Sequence, residues 1–151
     1  MKIQIITISD TRNLETDLSG QKIEAMLADA QLPADRILVH DDIAEIRDAF
    51  AASTAADVII ANGGTGIAKR DVTFEAVQPF VSQELPGFGE IFRQLSFLDI
   101  GSHAIASRAM AFFNRSDQLI FILPGSTKAC ELAVSQLILP EMEHLLYERR
   151  K

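Results

Sequence analysis

The chain has 151 residues, the size of one ordinary domain, and its 48% hydrophobic and 23% charged residues exclude a disordered or collagen-like chain. The net charge of −7 argues against a nucleic-acid-binding protein, because such proteins gain affinity from Lys and Arg that neutralise phosphates. A single cysteine, Cys130, excludes an internal disulfide, and no apolar run reaches the ~18 residues that span a bilayer. We therefore expect one cytoplasmic domain, residues 1–151, without a nucleic-acid or membrane partner.

The first sixty residues alternate between strand and helix patterns. Lys2–Ile8 is rich in Ile and Thr and predicts a buried strand. Apolar residues at i, i+3, i+4 and i+7 predict a helix over about Gly20–Gln31, with Ser19 as its N-cap. A strand, a helix and a strand follow, at Arg36–His40, Ile43–Ser53 and Asp57–Ala61. Either Asp41 or Asp42 can cap the second helix, and the alternation predicts a parallel sheet with right-handed crossovers.

The second half of the chain begins with a glycine-rich segment, Asn62–Gly66. Ala106–Phe113 and Gln118–Leu123 are strand-like runs separated by four polar residues, which predicts an antiparallel hairpin. The other elements predicted here are a short helix from Thr73 to near Pro79, an extended piece at Gln83–Pro86, a helix over Gly87–Leu98 and a final helix that starts at Thr127 and is re-entered at Pro140.

Four polar or glycine-rich loops follow predicted strands. They are Ser9-Asp10, His40-Asp41-Asp42, Asn62–Gly66 and Pro124-Gly125-Ser126. Ligands of open α/β sheets bind outside the carboxyl ends of the strands. If the first three strands and the last one are parallel, all four loops lie on one rim of the sheet, where we expect the site.

The glycine loop, Gly63–Gly66, allows backbone N–H groups to approach an oxyanion closely. It has neither the Lys-Ser/Thr pair of a P-loop nor the spacing of a dinucleotide fingerprint, so a plain strand-to-helix turn is an alternative. Asp71 follows, beside Lys69 and Arg70, where a carboxylate can hold Mg²⁺ against phosphate oxygens and the cations can clamp phosphate. Asp71 can instead cap the helix at Thr73. Cations beside such loops in an acidic chain indicate a small anionic ligand.

Several motifs together resemble the molybdopterin-binding (MoaB/MogA) family. They are Ser9-Asp10 with Asp17 and Ser19-Gly20, Gly63–Gly66 with Arg70-Asp71 and Thr73, Glu84–Glu90, Ser107-Arg108-Ala109, and Leu123–Ala129. The resemblance runs from about Ile3 to Leu146. It implies a three-layer α/β/α fold with a mixed, mostly parallel sheet and one antiparallel strand, and a homotrimer or hexamer.

The resemblance also implies an activity, the adenylylation of molybdopterin. ATP and molybdopterin would give adenylyl-molybdopterin and pyrophosphate, with Mg²⁺ as cofactor. Asp71 and Asp41 match two aspartates of the family, with Asp42 as the alternative to Asp41 because His40 replaces the family's preceding proline, and we expect Asp71 and Asp41 to be catalytic and to hold Mg²⁺. The implied substrate-binding residues are Ser9, Asp10, Gly63, Gly64, Thr65, Gly66, Arg70, Thr73, Ser107, Pro124, Gly125 and Ser126. Asn62 departs from the threonine that many relatives have at this position. The alternative to the adenylyltransferase is a non-catalytic protein that binds or delivers molybdopterin.

Overall fold

The computed structural model describes all residues from Met1 to Lys151. Its strands are β1 (Ile3–Ile8), β2 (Ala34–Val39), β3 (Val58–Asn62), β4 (Gln83–Glu84), β5 (Met110–Phe113) and β6 (Leu119–Leu123). They form one sheet in the order β2-β1-β3-β6-β5-β4. β1 pairs in parallel with β2 and β3, and β3 pairs in parallel with β6, whereas β5 is antiparallel to both β4 and β6. The prediction of a mixed, mostly parallel sheet with one reversed strand is therefore confirmed.

Helices cover both faces of this sheet. They are α1 (Leu18–Asp29), α2 (Ile43–Ala52), α3 (Thr73–Val77), α4 (Pro86–Ile100), α5 (Thr127–Ala133) and α6 (Leu139–Arg149). On one face, α1, α4, α5 and α6 bury a cluster that includes Ile5 and Ile60. On the other, α2 and α3 bury a cluster that includes Ile6 and Ile59. Neighbouring residues of one strand thus enter opposite layers, which gives the three-layer arrangement.

The apolar runs of the central strands follow from this double coverage. All five residues of β3 and all five of β6 are buried, so neither strand has a solvent-facing side on which polar residues would alternate. Burying one such Ile or Leu side chain contributes ~1.5–3 kcal/mol. β2 lies at the edge of the sheet and is only partly buried. No helix of this protein combines the length and the hydrophobicity that crossing a membrane requires.

Two sequence-based expectations about local structure were wrong. The run predicted as a strand from Ala106 pairs only from Met110 onward, because α4 extends to Ile100 and a 3₁₀ helix occupies Gly101–Ala106. The N-cap of α1 is Asp17, whose carboxylate accepts a 2.9 Å hydrogen bond from the Gly20 amide, and Ser19 lies inside the first turn. The final helix starts at Thr127 and is re-entered at Pro140 as expected, since α6 begins at Leu139, and a π-helical segment, Val134–Ile138, joins α5 to α6.

Candidate functional site

The loops after β1, β2, β3 and β6 meet at one rim of the sheet, as their parallel pairing requires. The Asp41 amide, after β2, donates a 3.0 Å hydrogen bond to Asp10 Oδ1, after β1. Gly125, after β6, packs so closely on the glycine loop that a Cβ on it would lie 3.3 Å from Gly63 Cα. The predicted convergence of the four loops is confirmed.

Two residues of the glycine loop have a left-handed backbone conformation. Gly63 has φ +104° and Gly64 has φ +61°, conformations that favour glycine. The Gly63 amide donates to the Leu123 carbonyl at 3.1 Å. The amides of Gly64, Thr65 and Gly66 donate to no atom of the chain. These three N–H groups are therefore free donors beside the rim, as a site for an anion needs.

The structure separates the two neighbouring aspartates that follow β2. Asp42 caps α2, because its Oδ1 accepts hydrogen bonds from the amides of Ala44 at 2.9 Å and Glu45 at 3.0 Å. Asp41 faces the glycine loop instead, and a Cβ on Gly64 would lie 2.5 Å from Asp41 Oδ1. That oxygen is buried and has no hydrogen-bond partner. Asp41, and not Asp42, is the aspartate that lies at the site.

The electrostatics around Asp41 favour a cation. Burial raises the pKa of Asp41 above its usual value, and the negative charges of Asp10 and Asp71 raise that pKa further. Arg70 lowers the pKa of Asp41, so its positive charge also acts on this carboxylate. A desolvated carboxylate near two other carboxylates is an environment that a bound cation would relieve.

Asp71 closes the turn that follows the glycine loop. Its Oδ2 accepts a 2.9 Å hydrogen bond from the Ala68 amide, and its own amide donates to the Ala68 carbonyl at 2.9 Å. The N-cap position of α3 is taken by Val72, without a side-chain hydrogen bond. The alternative that Asp71 caps this helix is therefore wrong. The half-buried carboxylate keeps Oδ1 free of partners in the chain.

The residues present fit a magnesium ion that is shared with a substrate. No group of three or more His, Cys, Asp or Glu side chains is arranged to hold a metal alone. Mg²⁺ is usually bound by one or two carboxylates together with substrate phosphates and water. Asp41, with its unpartnered buried oxygen, and Asp71 supply two such carboxylates beside free backbone donors.

Some of the predicted binding residues support the loop and do not face a ligand. Thr73 is fully buried, and its Oγ1 donates a 2.8 Å hydrogen bond to the Gly63 carbonyl. The Thr65 side chain is also buried, and the Thr65 amide has no acceptor in the chain. Ser107 makes no hydrogen bond to the glycine loop, and its carbonyl accepts one from Arg93 at 3.4 Å. Direct substrate contact by the side chains of Thr65 and Thr73 is therefore not supported.

Other predicted residues do lie on the rim. Ser9 is half-buried, Asp10 and Arg70 are exposed, and Pro124 is half-buried beside Gly125. Ser126 is exposed and caps α5, because its Oγ accepts a 3.2 Å hydrogen bond from the Ala129 amide.

A cavity of about 570 Å³ opens beside Ser126, between α4 and α5. Lys128 and Asp99, which pair at 2.6 Å, both line it. The rim therefore continues into a hollow large enough for part of a small molecule.

A buried polar network beneath the rim was missed as part of the site. Arg12 donates to Ser19 Oγ at 2.7 Å and to the Gly125 carbonyl at 3.2 Å, so it ties the first loop to the last. The Asn62 side chain donates from Nδ2 to the same Ser19 oxygen at 2.9 Å, which places this departure from the family pattern below the loop and not at its surface. In the sequence, Arg12 is recognisable only as a cation beside a polar loop. Its contact with the Gly125 carbonyl is not predictable from the sequence, because Gly125 is 113 residues away.

Comparison with known proteins identifies the family. The family model described as a probable molybdopterin binding domain matches residues 4–144. The chain belongs to this molybdopterin-binding family. Molybdenum cofactor biosynthesis protein B of Staphylococcus aureus (strain MRSA252) is 44% identical to it over 162 residues, covering 100% of this chain and 93% of that protein. The protein of the same name from Bacillus subtilis (strain 168) is 45% identical over 159 residues, covering 100% and 91%.

Solved structures of the molybdopterin-binding family share the fold. A crystal structure of molybdenum cofactor biosynthesis protein B matches with a TM-score of 0.93 at 44% identity, over 99% of this chain and 95% of that one. The tungsten cofactor synthesizing protein MoaB from Pyrococcus furiosus matches with a TM-score of 0.89 at 33% identity, over 99% and 97%. The three-layer fold and the family resemblance predicted from the motifs are confirmed.

Proposed function

We propose that the protein is a molybdopterin adenylyltransferase. One observation carries the proposal: Asp41 Oδ1 is buried without a partner, against Gly64 of a loop in which the amides of Gly64, Thr65 and Gly66 are free. A desolvated carboxylate beside an anion-binding loop suits a cation that is shared with a phosphate. Membership of the molybdopterin-binding family supports molybdopterin as the acceptor, and ATP supplies the phosphates.

The reaction joins two anions. A phosphate oxygen of molybdopterin attacks the α-phosphorus of ATP and forms a new P–O bond. The bond from the α-phosphorus to the bridging oxygen breaks, and pyrophosphate leaves with its electron pair. No covalent intermediate with the protein is needed, so the protein's work is neutralising charge and aligning the reactants in line.

Different residues of the rim would bind the phosphates and neutralise their charge. The amides of Gly64, Thr65 and Gly66 donate to phosphate oxygens, and Arg70 offsets the charge that develops on the transferred group. Asp41 and Asp71 would hold Mg²⁺, which when bound neutralises phosphate charge and orients the reacting groups. The loops that include Ser9-Asp10 and Pro124–Ser126 border the same rim and would bind the rest of the substrates.

The same proposal includes a homo-oligomer, a trimer or a hexamer, in the cytoplasm. Leu98 and Ile105 are 81% and 83% exposed at the end of α4 and in the 3₁₀ helix that follows. Exposed apolar side chains of this size are typical of subunit contacts. Analytical ultracentrifugation at micromolar concentration measures the mass, and a strictly monomeric chain would contradict this part of the proposal.

A pyrophosphate-release assay with molybdopterin, ATP and Mg²⁺ tests the activity. We expect Asp71→Asn and Asp41→Asn each to lower the turnover by ~10²-fold or more, which corresponds to about 2.7 kcal/mol of barrier. Asp42→Asn is the matched control, because asparagine caps a helix as well as aspartate does, and it should retain wild-type turnover. A folded Asp71→Asn variant with wild-type turnover would show that the assignment is wrong.

The alternative is a protein that binds or delivers molybdopterin without catalysis. It would use the same rim, so binding alone does not separate the two functions. Calorimetry with molybdopterin and with ATP, each with and without Mg²⁺, measures binding beside the pyrophosphate assay. Binding of both ligands by the wild type without pyrophosphate release would favour the alternative.

A further inference from the structure

The Arg108 side chain lies against the carbonyl side of the segment that follows the glycine loop. Its Nε donates to the carbonyls of Gly66 at 3.0 Å and Thr65 at 3.4 Å, and its Nη2 donates to the Asp71 carbonyl at 2.9 Å. The Arg108 amide also donates to the Thr65 carbonyl, at 3.3 Å. One residue thus binds both ends of the segment 65–71.

The segment 65–71 has no other hydrogen bond to the rest of the chain. Its internal hydrogen bonds join only Ala68 to Asp71. Every hydrogen bond that leaves the segment goes to Arg108. Ile67, Lys69 and Arg70 are exposed, so side-chain packing adds little restraint at the tip of the segment. Among the hydrogen bonds of the segment, only those of the Arg108 guanidinium tie the Asp71 backbone to a distant part of the chain.

Two further contacts hold the guanidinium itself in place. Its Nη1 pairs with the Glu75 carboxylate on α3, and its carbon lies 5.2 Å from the centre of the Phe74 ring. The side chain is 26% exposed, so its donors are largely occupied by these partners and by the three carbonyls. The guanidinium is thereby kept from acting as a free phosphate-binding group.

We propose that Arg108 is a positioning residue, which holds the segment 65–71 so that the loop amides and the Asp71 carboxylate face the substrate phosphates. This inference rests on the proposed function for its catalytic consequence. The planar fork of arginine is required, because three carbonyls in different directions need several fixed donors. A lysine at position 108 would keep the charge and lose that geometry.

Trypsin reports on the segment without any assay of activity. Lys69 and Arg70 lie in the tethered segment and are exposed, so cleavage there measures how often the segment detaches. We expect Arg108→Lys to speed cleavage after these residues by about tenfold or more, because charge-assisted hydrogen bonds are lost. Mass spectrometry identifies the cleaved bonds. Arg108→Met is a second variant, which removes the charge of Arg108 as well as its hydrogen bonds.

Two variants are matched controls for the trypsin experiment. Arg93→Lys makes the same chemical change at an arginine that donates to the carbonyls of Ser107 and Ala109 and to no atom of the segment. Glu75→Gln removes the charge of the ion pair but keeps a side-chain oxygen that accepts from Arg108 Nη1, so the guanidinium and its three carbonyl contacts stay in place. Both should be cleaved at about the wild-type rate. Thermal melting of every variant excludes global unfolding as the cause of faster cleavage.

Kinetics then separate positioning from a general structural role. We expect Arg108→Lys to lower kcat for pyrophosphate release by ~10–10²-fold, the range for a residue that orients another. Combined with Asp71→Asn, it should add less than its full separate loss, because part of its effect acts through the Asp71 carboxylate. A merely structural role predicts that the two losses multiply.

The outcomes separate the two proposals. Wild-type cleavage rates and wild-type kcat in a folded Arg108→Lys variant would overturn the positioning role. Faster cleavage in a protein whose wild type releases no pyrophosphate would keep Arg108 as the anchor of the segment and overturn the transferase proposal. Multiplying losses in the double variant would also overturn the positioning role.

Discussion

Asp41 and Gly64 are in contact across the rim, and the contact leaves no room for a side chain on Gly64. A Cβ there would lie 2.5 Å from Asp41 Oδ1, at a residue whose φ of +61° already disfavours any other amino acid. We expect Gly64→Ala to cost about 1–3 kcal/mol of stability and to displace the carboxylate. Turnover in the pyrophosphate assay should fall by ~10²-fold. Urea denaturation measures the stability change.

Gly87→Ala is the control for that substitution. Gly87 lies in the first turn of α4, and a Cβ there would meet no atom within 4 Å. Alanine is the better helix former, so this variant should be up to about 1 kcal/mol more stable than the wild type, with unchanged turnover. A Gly64→Ala protein that is as stable and as active as Gly87→Ala would contradict the close contact.

Asp41→Asn should stabilise the fold while it lowers activity. Burial and the charges of Asp10 and Asp71 raise the pKa of Asp41, so its ionised form is penalised in the folded state at neutral pH. Removing the charge should raise the free energy of unfolding, by a gain that solvent screening of the partly exposed carboxylate keeps small. Thermal melting at pH 7 with a chelator present measures this gain without a bound cation.

The stabilisation by Asp41→Asn should depend on pH. A raised folded-state pKa means that the penalty exists above that pKa and disappears as the pH falls through it. The stability difference between Asp41→Asn and the wild type should therefore shrink in acid. Asp42→Asn, at the neighbouring helix cap, should melt with the wild type throughout. A lower melting temperature for Asp41→Asn at pH 7 would contradict the electrostatic strain.

Asp17→Ala should be severely destabilising. The Asp17 side chain is fully buried, pairs with Arg36 at 3.1 Å and accepts hydrogen bonds from Thr7 Oγ1 at 2.6 Å and from the Gly20 amide at 2.9 Å. Removing one member of a buried pair costs about 3–5 kcal/mol, because the other charge stays desolvated. Asp42→Ala removes an exposed helix cap and should cost only about 1 kcal/mol in the same urea titration.

Cys130 should be inert in the native protein. Its side chain is buried, and burial raises the pKa of the thiol to about 12. At pH 8 the native protein should react with Ellman's reagent at least ~10³-fold more slowly than the chain in concentrated guanidinium chloride, because the thiolate is scarce and shielded. Immediate labelling of the native protein would show that α5 opens far more readily than its packing indicates.

The sequence alone predicted the sheet and the rim, because both are encoded locally. The continuous apolar runs of β3 and β6 follow from burial on two faces, and the alternation of strands with amphipathic helices implies parallel pairing. Parallel strands then bring the loops that follow them to one edge. The family resemblance came from motifs such as Gly63–Gly66, whose first two glycines have the positive φ that favours glycine.

Only the tertiary structure decided which side chain does what at the rim. Asp41 and Asp42 are adjacent and have the same chemistry. Asp42 caps α2, whereas the packing of the glycine loop leaves Asp41 Oδ1 buried without a partner. Arg108 binds carbonyls 37 to 43 residues earlier in the chain, a contact that no local spacing encodes. Hydrogen bonds within one turn follow from sequence order, whereas contacts between distant segments exist only once the sheet has brought those segments together.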